Sequence, residues 1–184
     1  MKLFGLPIFR GAACVVWLMG VGGAWAGVQA TPEMVRDAVQ GWCDGLLLIS
    51  KTAMEGGDAK AVAEKVLTTA YAYDQGGVLF KPTLTFGDQT FRMTKEGALA
   101  YFVGGNPEFP NDDGFALKEW TGATFTKAGV LTEGNLGLYM GNVTLTNKKG
   151  DQVMVDKTFV FRFDEEGKPR IILHKSALPH QPSS

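Results

Sequence analysis

Apolar residues recur along this chain at two different periods, and the change of period marks its organisation. Val35, Val39, Trp42, Leu46 and Ile49 are spaced by four and three, which places them on one face of a helix. Thr31-Pro32-Glu33 opens that helix with a capping hydroxyl, a proline at the first helical position and an early acid. Gly56-Gly57 closes it, and Asp58 caps a second helix carrying Val62, Val66, Thr69 and Tyr73 before Gly76-Gly77. In "VLFKPT", Pro82 lacks a donor and excludes a central strand, so this run is an edge or a corner. Residues 94–103, "TKEGALAYFV", form a short third helix with Ala98, Tyr101 and Phe102 on one face, and "GGNPEFPNDDGF" is a loop. From Ala116 the period falls to two in "LKEWTGATF", "LGLYMGNVTLT", "QVMVDKTFVFRF" and "PRIILHKSAL", separated by turn clusters such as "NKKGD" and "DEEGK". Helices first and then an antiparallel meander of about four strands predict an α+β fold, with the helices packed on one face of a curved sheet and a pocket between them.

The length of 184 residues and a hydrophobic content of 45% suit one domain with a substantial core. That domain is expected over 27–184, with a short Pro-rich tail. Residues 1–26 read as a cleaved signal peptide: Lys2 and Arg10 precede the apolar run "GAACVVWLMGVGGAWAG", which is too short for a stable anchor and ends in Ala24-Trp25-Ala26. Val28-Gln29-Ala30 offers a second cleavage point. A periplasmic or secreted protein with no membrane attachment after processing is the expectation. Loss of the leader removes two positive charges and no acid, so the formal charge goes from −1 to about −3. There is no basic stripe, which speaks against a nucleic-acid partner. Cys43 is then the single thiol, without an internal disulfide partner and at a packing position of the first helix.

Candidate chemistry concentrates at the end, in "ILHKSALP". Alternation puts His174 and Ser176 on one face of the last strand and Lys175 on the other. A zinc site needs about three protein ligands, and the processed chain offers His174, His180 in the tail and Cys43 in a helix, so a compact site of this kind is not expected. Asp112-Asp113 in the loop could serve a harder metal, although such adjacent acids are usually just solvated. Asp156 is the one acid at a strand centre, its face undetermined by sequence.

"VLFKPT", "ALAYFVGGNPEFPNDDGFALKEWT", "YMGNVTLT" and "LHKSALP", in this order and spacing, resemble the bacterial iota-class carbonic anhydrases. That class is close to the association domain of calcium/calmodulin-dependent kinase II, within the cone-shaped nuclear transport factor two-like superfamily. The resemblance spans nearly the whole processed chain. It implies a carbonic anhydrase (carbonate dehydratase, a lyase) interconverting CO2 and bicarbonate without a resident cofactor, although zinc or manganese dependence stays open. It also implies a homodimer.

By the same resemblance, hydroxyl side chains hold bicarbonate: Thr83 after Lys-Pro, Tyr101 before Phe-Val-Gly-Gly, and Ser176 in the closing motif. His174 joins these three as a catalytic candidate. The closing motif of the class usually reads His-His-Ser-Ser-Leu-Pro, so Lys175 and Ala177 are departures, both facing away from His174 and Ser176. Without a metal the attacking water keeps a pKa near 15.7, so a side chain must take its proton; Tyr101 and His174 are the candidates. A non-catalytic module that binds a small ligand or oligomerises is the alternative. A dehydratase or isomerase, which would want a carboxylate inside the cone, is a weaker third reading.

Overall fold

The computed structural model describes residues 27–181. The expected signal peptide lies outside the described residues. Helix α1, Pro32–Met54, starts where Thr31 accepts a hydrogen bond from the Met34 amide, and it buries all five residues of the apolar stripe together with Ala38, Cys43 and Ser50. Helix α2 spans Ala59–Ala70 under an Asp58 cap that accepts from the Ala61 amide. Its buried residues are Ala63 and Leu67, whereas Thr69 is exposed, so the inward face is rotated from the expected stripe. The helix also ends earlier than Tyr73. Tyr71 turns extended and bridges Ile171, and the Ala72 amide donates to the Ile171 carbonyl. This pairing with the sheet outcompetes another helical turn.

Five strands follow one another in the sheet in the order β1-β5-β4-β3-β2. Strands β2 (Trp120–Glu133), β3 (Leu136–Asn147), β4 (Gln152–Phe163) and β5 (Pro169–Ala177) form the antiparallel meander. The short strand β1 (Leu79–Lys81) lies on the outer edge of β5 and runs parallel to it, so the sheet is mixed rather than purely antiparallel. Pro82 follows immediately, consistent with an edge that ends at a ring without an N–H.

Helix α1 lies across β2 and β3 on the inner face of the sheet. Gly137 permits that approach: a Cβ there would meet a Val35 methyl at 2.3 Å and the Phe163 ring at 2.9 Å. Helix α3, Lys95–Val103, is capped by Thr94 and ends at Gly104 with φ 64°. A Cβ at Gly104 would approach the Asp112 carbonyl to 2.9 Å, so this glycine lets the 106–113 loop fold back over the helix end.

The loop is held by a buried ion pair. Arg92 Nη2 donates to both Asp112 carboxylate oxygens at 2.9 Å, and its guanidinium lies 4.7 Å from the Phe109 ring centre. Both side chains are nearly inaccessible, at 2% for Arg92 and 6% for Asp112. Asp112 is therefore not one of two solvated acids; Asp113 alone is exposed.

The inner face of the meander is apolar and alternating: Val155, Phe159, Phe161 and Phe163 on β4, and Tyr139, Val143 and Leu145 on β3. On β5 the alternation is interrupted once. Val160 pairs with Leu173 and Phe161 with Ile171, which leaves Ile172 as an extra, bulged residue. The bulge is why Ile171 and His174, three apart, both point inward.

Candidate functional site

Beyond the bulge, His174 and Ser176 are buried on the inner face and Lys175 is exposed on the outer one, as alternation requires. Phe80 on β1 is the register partner of His174, and Thr83 lies two residues past the end of that strand. The chain turn at Pro82 carries Thr83 over the end of β5. There, Thr83 Oγ1 and Ser176 Oγ share a hydrogen bond of 2.6 Å. Tyr101 reaches the same region from α3, packing its ring flat on Phe115 and edge-on to Phe80.

The residues Thr83, Tyr101, His174 and Ser176 thus come together, walling a small, tightly packed gap with aromatic rings and Lys157. Even a water-sized guest enters it only if the lining side chains shift. Burial pushes the Tyr101 phenol up to about 12, against the Thr83 hydroxyl and the Thr83 and Leu84 backbone, which pull the other way, so it is a neutral donor near pH 7. Its hydroxyl is buried and makes no hydrogen bond of ordinary geometry among the described residues. The Thr83–Ser176 pair has two hydroxyl protons and uses one between its own oxygens, leaving a second donor for a guest.

His174 is clamped between Phe80 and Phe159, whose ring centres lie 4.6 and 4.4 Å from its own. Both ring nitrogens are engaged. Nδ1 lies 2.9 Å from the Tyr71 hydroxyl, which accepts from Trp42 Nε1 at 3.0 Å, and Nε2 lies 3.0 Å from Lys157 Nζ. Burial, then the neighbouring Lys157 charge, hold the imidazole well below its ordinary pKa, so it is neutral at pH 7.

Lys157, Tyr71 and Trp42 are members of this cluster that pattern reading did not single out. For Lys157 a signal was present. In "VMVDKTFVFRF" it occupies the parity of Val155, Phe159, Phe161 and Phe163, so a cation stands where the strand is otherwise apolar. Tyr71 gave no such signal, because its role depends on leaving α2. Asp156, by contrast, has the opposite parity to Lys157 and accepts from Asn142 Nδ2 on the outer face, so it supplies no carboxylate to the space. Cys43 is buried on α1, and its thiol is pushed up to about 11 by burial, which makes it a packing group. No group of three or more His, Cys, Asp or Glu able to hold a metal occurs among the described residues.

Comparison with known proteins bears on this geometry. A protein of Nostoc sp. (strain PCC 7120) named metal-independent carbonic anhydrase is 47% identical over 153 residues, covering 82% of this chain and 75% of its own length. The crystal structure of a cyanobacterial iota-carbonic anhydrase complexed with bicarbonate superposes with a TM-score of 0.82 at 46% identity, over 84% of this chain and 95% of that one. A Xanthomonas campestris protein of the calcium/calmodulin-dependent protein kinase II association-domain type shares the fold at TM-score 0.52 and 21% identity, over 83% and 94% of the two chains. Residues 33–178 match the family described as metal-independent carbonic anhydrase. That match covers the three helices, the five strands and all four candidate residues, and the chain belongs to this family of carbonic anhydrases.

Proposed function

We propose that the chain hydrates CO2 reversibly in the space between Thr83, Tyr101, His174 and Ser176, and that it does so as a periplasmic or secreted homodimer. The observation that carries the site is the convergence on one small buried gap of the Thr83–Ser176 pair and the Tyr101 hydroxyl, which makes no hydrogen bond of ordinary geometry. The related cyanobacterial structure is a complex with bicarbonate.

In hydration, the water oxygen attacks the carbon and negative charge grows on a CO2 oxygen. Tyr101 and the free hydroxyl proton of the Thr83–Ser176 pair are donors that can meet that oxygen. They are held by packing before reaction, so little reorganisation is needed as charge develops. The aromatic walls keep bulk water out and strengthen these contacts. His174 fixes the wall through its two ring nitrogens.

Export rests on the leader-like residues 1–26. Dimerisation rests on the outer face of the sheet, where Leu138, Met140, Val160 and Leu173 form an apolar stripe across β3, β4 and β5, with Met140 58% exposed.

Stopped-flow CO2 hydration by the chelator-treated processed protein tests the site, beside Ser176→Ala and Tyr101→Phe. Activity should survive the chelator and fall at least tenfold in each variant. Variants as active as the parent would remove these hydroxyls from the reaction.

A further inference from the structure

Hydration releases a proton inside a closed space, and neither expected acceptor is suited to it. Tyr101 is a neutral phenol and His174 is a buried imidazole with both nitrogens occupied. The reading that follows rests on the site proposed above.

We propose that Lys157 is the proton acceptor of the hydration step: its neutral side-chain amine takes the proton of the attacking water, while His174 holds Nζ at the wall of the reaction space.

Lys157 is 2% exposed and lines the same space as Thr83, Tyr101 and Ser176, and it is the register partner of Ser176 across β4 and β5. Its Nζ is anchored on two sides, 3.0 Å from His174 Nε2 and 4.1 Å from the centre of the Trp42 ring. An amine that gives one N–H to Nε2 keeps its lone pair for an incoming proton. No carboxylate lines the space, so nothing there compels Nζ to stay charged. Burial brings its pKa down to about 7. The π face of Trp42 then stabilises the ammonium once it forms. A base poised near the working pH is what general-base catalysis requires.

Among the other titratable groups around Nζ, Cys43 alone acts on this equilibrium, pulling the pKa up against the larger effect of burial. The groups are Cys43 from α1, Tyr71 after α2, Tyr101 from α3, Tyr139 from β3 and His174 from β5. Burial disfavours the charged form of every one of them. Asp44, beside Cys43, is exposed, and Asp112, which faces Tyr101, is neutralised by Arg92.

The step balances. Water oxygen forms the new C–O bond, and one C=O π pair moves onto an oxygen facing Tyr101 and the Thr83–Ser176 pair. The water proton goes to Nζ, giving bicarbonate and an ammonium. The ammonium later yields its proton to solvent buffer, and dehydration is the reverse.

The test joins kinetics with direct titration. In 15N-lysine-labelled full-length processed protein, the Lys157 Nζ resonance is followed against pH, and kcat/KM for CO2 hydration is measured over the same range for the parent, Lys157→Met and Ser176→Ala. Expected are a parent rate that rises with the Nζ midpoint, and a Lys157→Met variant that keeps its circular dichroism but loses at least a hundredfold in rate together with the pH-dependent rise. A folded Lys157→Met variant within threefold of the parent and with the same midpoint overturns the role. Should that variant not fold, a parent Nζ midpoint more than one pH unit from the kinetic one overturns it and a coincident midpoint supports it. Loss of activity in Ser176→Ala with an unaffected Lys157→Met separates failure of this inference from failure of the site; an unaffected Ser176→Ala overturns both.

Discussion

Thr83 Oγ1 and Ser176 Oγ are 2.6 Å apart although 93 residues separate them, and their hydrogen bond ties the chain leaving the edge strand β1 to the end of β5. A single contact therefore closes one wall of the proposed reaction space and presents a hydroxyl donor to it. Structure and activity should be coupled here.

Thr83→Val and Ser176→Ala each remove that hydrogen bond, so each should destabilise the protein by about 1 kcal/mol, the net worth of a neutral intramolecular bond. The double variant should fall short of the sum, because both changes delete the same interaction. Urea unfolding of the four proteins measures the coupling. Additive losses would mean that the two hydroxyls do not bond to each other in solution.

Tyr101→Phe should separate stability from activity. The ring contacts with Phe80, Phe102 and Phe115 survive the change, and the hydroxyl it removes is buried without a hydrogen bond of ordinary geometry. Thermal stability is expected to hold or rise while CO2 hydration falls at least tenfold. A loss of stability comparable to a deleted hydrogen bond would reveal a partner for the hydroxyl within the fold.

Stability should rise with pH between about 7 and 9. Lys157 has its pKa lowered to about 7 from 10.5, so in this window the unfolded chain binds more protons than the folded one, and deprotonation favours folding. The opposing effect of Cys43, raised to about 11 from 9.0, sets in at the top of that window as the unfolded thiol ionises, and stays smaller than the Lys157 effect there. Below 6.5 the lowered His174 pKa removes further stability as the unfolded imidazole charges. Urea midpoints across this range should climb for the parent and flatten for Lys157→Met; equal slopes would mean that Lys157 is not held as a depressed base.

Asp112→Asn leaves the Arg92 guanidinium buried and uncompensated, and should destabilise by about 3–5 kcal/mol. Arg92→Met combined with Asp112→Leu removes both charges and should recover most of that loss. Guanidinium unfolding decides between this and a surface-like pair worth under about 1 kcal/mol.

The sequence alone determined the order and type of the elements. Periods of four and three in α1 and of two in β2–β5 reflect one-sided burial, and burial of a face is written residue by residue. It also determined that His174 and Ser176 share a face, since strand parity is local. Tertiary structure alone decided what those faces meet. The Ile172 bulge, the parallel docking of β1 on β5 and the early end of α2 are won by pairing between distant segments, which no local period records. The same holds for Asp112: two adjacent acids look alike until Arg92, twenty residues earlier, takes one of them out of water. Lys157 lies between the two cases. Its inward parity was legible in β4, but its chemistry arises from Trp42, Tyr71 and His174, which α1, the chain after α2 and β5 bring to one point where a charge has lost its water.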